Sequence, residues 1–309
     1  MGTPDFSVPS LDALLNAGHK ISLVITQPDR PKGRGRKPAP PPVKQAALNA
    51  GIEVVQVENI NDKTVTDKLK SLRPDLFVVI AFGQKLSRSL LDIPSLFPIN
   101  IHASLLPRYR GSSPIQAAIA NMDKTTGVTT MIMGEGLDTG DILLVSRTDI
   151  DPDETAGTLH DRLAALGADL ICSTLDAIYS SSLTPTPQNN EAATYAPMLK
   201  KSDGEIIWTD SGKKICAKIR AMTPWPGAFT RFNKSILKIF KACPVDIPDS
   251  GAKPGTIVDC GGNRLIVACG NGGVNILELM GKSGKQLKTE EFLRGNKLEK
   301  GMKFINDNI

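Results

Sequence analysis

Asn100-Ile101-His102 closes a short apolar run, and Asp138 follows downstream inside Gly136-Leu137-Asp138-Thr139-Gly140-Asp141. His102 is one of three histidines in the chain. Residues 96–99 read as the end of a buried strand. A strand alternates its side chains, so Asn100 and His102 project the same way. An imidazole can accept a proton at neutral pH. A carboxylate beside it fixes its tautomer and stabilises the imidazolium. A carboxamide N–H can hold a developing oxyanion, an effect worth about 3–4 kcal/mol in comparable sites. Base, orienter and oxyanion donor together describe acyl transfer with no covalent nucleophile. Singly, each residue has a structural use, since asparagine caps helices and aspartate shapes turns. Together, at the carboxyl end of a parallel sheet where ligands bind, they point to chemistry.

The elements that would carry this trio alternate along the first half of the chain. Strands are expected at residues 21–26, 52–56 and 76–82, with helices at 7–17, 42–51 and 63–72. This alternation implies a doubly wound, mostly parallel α/β sheet. A further helix at 116–121 and a strand at 127–133, packed beside residues 98–102, continue it. A long helix over 155–179 places Leu159, Leu163, Leu166, Leu170 and Ile171 on one face. Residues 180–190, rich in Ser, Thr, Pro and Asn, are punctuated like a surface loop or linker. A short helix at 213–222 precedes five β-rich runs at 228–232, 236–240, 255–259, 264–268 and 274–279. Their spacing suggests a small OB-like barrel. The division expected is residues 1–180 for the catalytic domain, 181–205 for a linker and 206–309 for the barrel.

Residues 2–5 resemble the loop that follows a first strand, yet no strand precedes them. In a doubly wound sheet the first strand is central. The expectation is that Met1 is internal and the natural chain begins roughly ten residues earlier, room for a strand and a short lead.

The chain has 309 residues, 40% of them hydrophobic, enough for two domains with a sizeable core. Five cysteines, none in C-x-x-C spacing, suggest neither a zinc site nor a redox motif. The longest apolar run, residues 76–82, is too short to span a bilayer, and the N-terminus lacks signal-peptide character. A cytoplasmic protein with no bound metal is therefore expected. Charge is uneven. Residues 206–309 carry 17 Lys and Arg against 9 Asp and Glu, a surplus of +8, whereas residues 1–205 are net −3. Within that acidic half, the loop at 29–38 concentrates Arg30, Lys32, Arg34, Arg36 and Lys37, with Pro and Gly excluding helix. Flexible Arg/Gly segments that order on contact suit RNA. Trp225, between Pro224 and Pro226, reads as a packing anchor.

Asn100-x-His102 followed by Ser104-Leu105-Leu106-Pro107, with Asp138 downstream, resembles the signature of the 10-formyltetrahydrofolate-dependent formyltransferases. The flanking Arg108-Tyr109-Arg110-Gly111-Ser112-Ser113-Pro114-Ile115-Gln116, Thr126-Gly127-Val128-Thr129 and Gly2-Thr3-Pro4-Asp5-Phe6 strengthen the resemblance, which runs from residue 2 to about residue 304. The Gln27–Lys37 loop and the C-terminal barrel narrow it to members that formylate methionyl initiator tRNA. The resemblance implies a Rossmann-like formyltransferase fold with an OB-like tRNA-binding domain; a monomer is expected. It implies that Ser104 to Pro107 form the folate-binding loop, with Leu105 and Leu106 lining the pterin pocket. The α-amine attacks the formyl carbon of 10-formyltetrahydrofolate while Asn100 holds the oxyanion, His102 takes or arranges the amine proton, and Asp138 orients His102 and relays the proton. The arginine loop, Arg34 above all, would meet the acceptor stem, and barrel lysines such as Lys213, Lys214, Lys218, Lys285 and Lys288 the phosphates. Two other readings are a formyltransferase for a small amine such as an amino sugar nucleotide, or a formyltetrahydrofolate hydrolase, neither of which requires the basic loop and barrel. A third is a non-catalytic RNA-binding protein, against which the intact trio argues.

Overall fold

In the computed structural model, which describes residues 1–32, 37–233, 235–247 and 251–305, the first β-branched run condenses into strand β1 (Val24–Thr26), buried throughout. It follows helix α1 (Val8–Asn16). Strands β2 (Arg30–Lys32) and β3 (Lys37–Ala39) form an antiparallel ribbon. Helix α2 (Pro42–Asn49) then leads to β4 (Val54–Gln56), which pairs with β1 in parallel. Val24 packs with Leu11, Val43 and Ala47, whereas its neighbour Ile25 packs with Leu69, Phe77 and Leu90. Adjacent strand residues face opposite sides, so α1 and α2 cover one face of the sheet. Helices α3 (Lys63–Leu72) and α4 (Arg88–Leu91) cover the other.

Strand β5 (Leu76–Val79) runs parallel to β6 (Phe97–His102). Beyond β6 the sheet turns antiparallel, through β7 (Thr125–Ile132) and β8 (Ile142–Asp149). The α/β class and its parallel centre agree with the alternation of the sequence. Strand β8 was not anticipated, because its exposure alternates and Leu143 alone among its residues is fully buried. Helix α5 (Pro114–Ala120) lies between β6 and β7 in sequence. Helix α6 (Ala156–Tyr179) lies close on β6 and β7 at Gly167, where a Cβ would come within 3.2 Å of Ile101.

The lane between β1 and β5 holds Met1 and Gly2. The Met1 amino group donates to the Val78 carbonyl at 2.7 Å. Ile80 N–H donates to Met1 O at 2.9 Å, and Gly2 N–H donates to Ile25 O at 3.1 Å. A cavity of about 400 Å³ adjoins them, lined among others by Leu23, Leu76, Val78, Leu175 and Tyr179.

By its backbone contacts the chain divides into two units, one of residues 1–114, 125–149 and 160–197, the other of 115–124, 150–159 and 198–309. Residues 181–197, expected within a linker, thus belong to the first unit. The reason is pairing: Thr186 bridges Ile142, and Tyr195 bridges Arg110. In the second unit helix α7 (Gly212–Ala221), with Ser211 capping Lys214 N–H, packs against an antiparallel sheet. That sheet comprises β9 (Ala228–Phe232), β10 (Ser235–Val245), β11 (Ile257–Gly261), β12 (Arg264–Ala268), β13 (Gly273–Met280) and β14 (Gln286–Lys288), and helix α8 (Thr289–Gly295) follows. Its order is β11-β12-β13-β10-β9, with β14 on β13. Residues 303–305 bridge both ends of this sheet, Ile305 to Arg231 of β9 and Lys303 to Thr256 beside β11. Trp208 anchors its interior at 3% exposure, with its indole N–H donating to Thr230 Oγ1 at 2.9 Å. Trp225 is half exposed rather than an anchor, because Trp208 fills that role.

Candidate active site

The register of β6 on β7 sets Asn100 opposite Met131 and His102 opposite Thr129. The chain then turns through residues 103–111 and brings the Tyr109 carbonyl to 2.9 Å from His102 Nε2. Tyr109 makes this turn with a left-handed backbone, at φ 60°. A carbonyl can accept a hydrogen bond but not donate one. The proton of the neutral ring must therefore sit on Nε2, and the lone pair on Nδ1. Nδ1 faces Asp138 Oδ2 at 3.6 Å, too long for a hydrogen bond and close enough for an ion pair once Nδ1 is protonated. The tautomer is thus fixed by Tyr109 and not, as expected, by Asp138.

Asp138 approaches from the loop between β7 and β8. Gly111 N–H donates to its Oδ2 at 2.8 Å, and Asn100 Nδ2 stands 3.5 Å from its Oδ1. Its backbone is left-handed, with φ 52°, which costs a non-glycine residue roughly 1–2 kcal/mol. Gly140 pins the loop's far side: a Cβ there would collide with the Ile132 carbonyl. The structure therefore unites the three sequence-predicted residues. His102 and Asp138 side chains are 7% and 13% exposed and Asn100 is half-buried, so Asn100 and Asp138 present the reachable atoms.

Ser104, Leu105, Leu106 and Pro107 form the turn directly after His102. Ser104 is fully buried, and its hydroxyl donates to Arg108 O at 2.6 Å. Thr129 Oγ1 donates to Ser104 O at 2.7 Å and accepts from Leu106 N–H at 3.3 Å. The turn is thus tied both to itself and to β7. Leu106 is buried, while Leu105 and Pro107 are half-buried.

Of the basic loop, Arg34 and Arg36 lie outside the described residues, and Lys32 and Lys37 are placed by backbone alone. Arg30 pairs with Glu58 at 3.1 Å in an exposed contact, which holds little energy. At the ribbon's base Asp29 accepts from Lys44 at 2.9 Å and from Gln56 at 2.7 Å, contacts that hold its carboxyl below the usual range. Among the barrel lysines, Lys213, Lys285 and Lys288 are exposed, Lys214 pairs with Asp210 at 2.7 Å, and burial pushes the half-buried Lys218 down.

Tyr109, Arg110, Gly111 and Thr129 enter the sequence reading only as flanking motif residues with no role of their own, and Gln188 has no role in it. Arg110 is 2% exposed, and its guanidinium donates to Gln188 Oε1 and Asn190 Oδ1, both at 2.8 Å. Gln188 in turn donates to the carbonyls of Asp138 at 2.9 Å and Gly140 at 2.7 Å. No local signal marks a residue so distant in sequence. Among the described residues no group of three or more His, Cys, Asp or Glu could hold a metal ion, and no helix is long and apolar enough to cross a membrane.

Thr129→Val keeps the shape of the residue and removes both of its bonds to the 104–107 turn. We expect a loss of about 1–3 kcal/mol in urea unfolding, the cost of leaving buried polar groups unpaired, with the far-ultraviolet spectrum unchanged.

Compared with known proteins, residues 1–175 match the formyl transferase family and residues 198–297 match its C-terminal domain family. A methionyl-tRNA formyltransferase of Citrifermentans bemidjiense is 46% identical over 301 residues, which cover 97% of this chain and 94% of that one. One from Geobacter metallireducens is 47% identical over 303 residues, covering 98% and 96%. Among solved structures, an N-formyltransferase of Helicobacter canadensis, in complex with folinic acid and dTDP-3-aminofucose, shares the fold. Its TM-score is 0.64 at 20% identity, over 89% of this chain and 96% of that one. The methionyl-tRNA formyltransferase from Clostridium thermocellum gives a TM-score of 0.51 at 19% identity, over 72% and 93%.

Proposed function

Because the chain belongs to the formyl transferase family, we propose that it moves a formyl group from 10-formyltetrahydrofolate to the α-amine of methionyl initiator tRNA in the cytoplasm. The observation that carries this reading is identity of 46–47% along nearly the whole chain, barrel included, to proteins of that name. A smaller acceptor would give the basic second unit nothing to bind.

The folate supplies an activated formyl carbon. The amine nitrogen forms a bond to that carbon, the bond from carbon to N10 breaks, and the amine proton passes to N10. Asn100 stands ready to donate to the formyl oxygen as it becomes an oxyanion, because its contact with Asp138 is long at 3.5 Å and leaves donor capacity. Asp138, the more exposed of the pair, meets the amine, and His102 Nδ1 behind it receives the proton while Nε2–H stays on Tyr109 O. An α-amine has a reference pKa of about 8, so a mild base suffices. Positioning and oxyanion stabilisation then provide much of the acceleration. Ser104 to Pro107 give the folate a preformed wall. Arg30, Lys32, Arg34, Arg36 and Lys37 reach the acceptor stem, and the exposed barrel lysines contact phosphates, which makes binding salt-dependent.

The test is incubation with 10-formyltetrahydrofolate and either methionyl-tRNA or small amines, following acid-stable formyl incorporation. Transfer to methionyl-tRNA is expected, and transfer confined to small amines would overturn the reading. His102→Ala should lower turnover by about 10²–10⁴-fold with tRNA affinity nearly intact. Arg34→Ala should instead weaken tRNA binding and spare turnover at saturation. Equal affinity losses in the two variants would contradict this division.

A further inference from the structure

Arg110 and the carbonyls of Asp138 and Gly140 leave one orientation for the side chain between them. A guanidinium only donates, and a carbonyl only accepts. Gln188 therefore turns its oxygen to Arg110, which donates through Nη2 at 2.8 Å and Nε at 3.1 Å. It turns its amide nitrogen to Asp138 O at 2.9 Å and Gly140 O at 2.7 Å. Both N–H groups are thereby spent, one on each side of Thr139. The carboxamide is held from behind, because Arg110 is 2% exposed and its Nε and Nη2 both donate to Gln188 Oε1, with Asn190 Oδ1 a further acceptor at 2.8 Å. Arg110 is itself held by backbone pairing with the same strap, its N–H donating to Thr194 O at 2.8 Å and its carbonyl accepting from Ala196 N–H at 2.8 Å. What the two amide bonds restrain is a left-handed aspartate, at φ 52°, that would gain by relaxing. Asp138 meets both His102 Nδ1 and Gly111 N–H in that conformation.

We propose that Gln188 is a positioning residue for formyl transfer, an inference that rests on the reading above. Clamped by Arg110, it holds the Asp138–Gly140 backbone so that the Asp138 carboxylate stays on His102. Gln188 touches no reacting atom and acts through Asp138. Glutamate keeps the oxygen that Arg110 needs but sets a carboxylate against two carbonyls; leucine removes both halves of the clamp.

The experiment compares wild type with Gln188→Glu and Gln188→Leu in two measurements. Formyl transfer should show kcat reduced about 10–100-fold in both, the scale of a misplaced catalytic group, with KM for each substrate nearly unchanged. Without substrate, NMR-detected amide exchange should accelerate at Gly111, whose N–H rests on Asp138, in both variants while thermal unfolding of the glutamate variant stays near wild type. A kcat within twofold of wild type, a kcat lost only in proportion to unfolded protein, or unchanged Gly111 exchange would overturn the inference. If wild type transfers no formyl group at all, the functional reading fails, and the Gly111 exchange still decides for or against the clamp.

Discussion

The Tyr109 carbonyl accepts a hydrogen bond from His102 Nε2 at 2.9 Å, and the polarity of the site follows from it. Because that nitrogen must keep its proton, the basic lone pair lies on Nδ1, on the side of Asp138. A histidine buried to 6% exposure cannot approach a large acceptor by itself. In the proposed reaction its basicity reaches the amine through the carboxylate in front of it. The 3.6 Å separation of Nδ1 and Oδ2 suits a resting pair of lone pairs.

That arrangement depends on three backbone devices outside the trio. Antiparallel pairing of β6 with β7 sets Thr129 against His102, so its hydroxyl can tie down the turn at Ser104 and Leu106. This turn leads the chain to the left-handed Tyr109, which aims the carbonyl. The strap of residues 186–196 pairs with Ile142 and Arg110 and presents Gln188 to the Asp138 loop. Left-handed residues at Tyr109 and Asp138 store strain that the surrounding bonds over-determine, as preorganised sites require.

Much of this was legible in the sequence. Period-2 and period-3.6 patterns placed β1, β4, β5, β6, α3 and α6, and the two-residue spacing of Asn100 and His102 gave their shared face. Residue types announced acyl transfer, and the motif after His102 named the donor. What could not be read was contact between segments distant in sequence. Ser180 to Asn190 has a linker's composition, and composition does not reveal that Gln188 meets Arg110. Backbone acceptors are equally silent: every residue has a carbonyl, and nothing in the letters marks that of Tyr109. Strand β8 escaped because an edge strand with one buried residue lacks the apolar run that signals burial. Trp225 was misplaced because aromatic content says nothing about which of two tryptophans the barrel encloses.

The most direct test of the account is the tautomer of His102, read from the ¹⁵N shifts of ring-labelled histidine in the free protein under conditions where the ring is neutral. The Nε2–H form, with an unprotonated Nδ1 whose shift responds to Asp138→Asn, is the result this structure predicts. An Nδ1–H ring would contradict it, because the proton would then already lie between His102 and Asp138 and the Tyr109 carbonyl would face a lone pair.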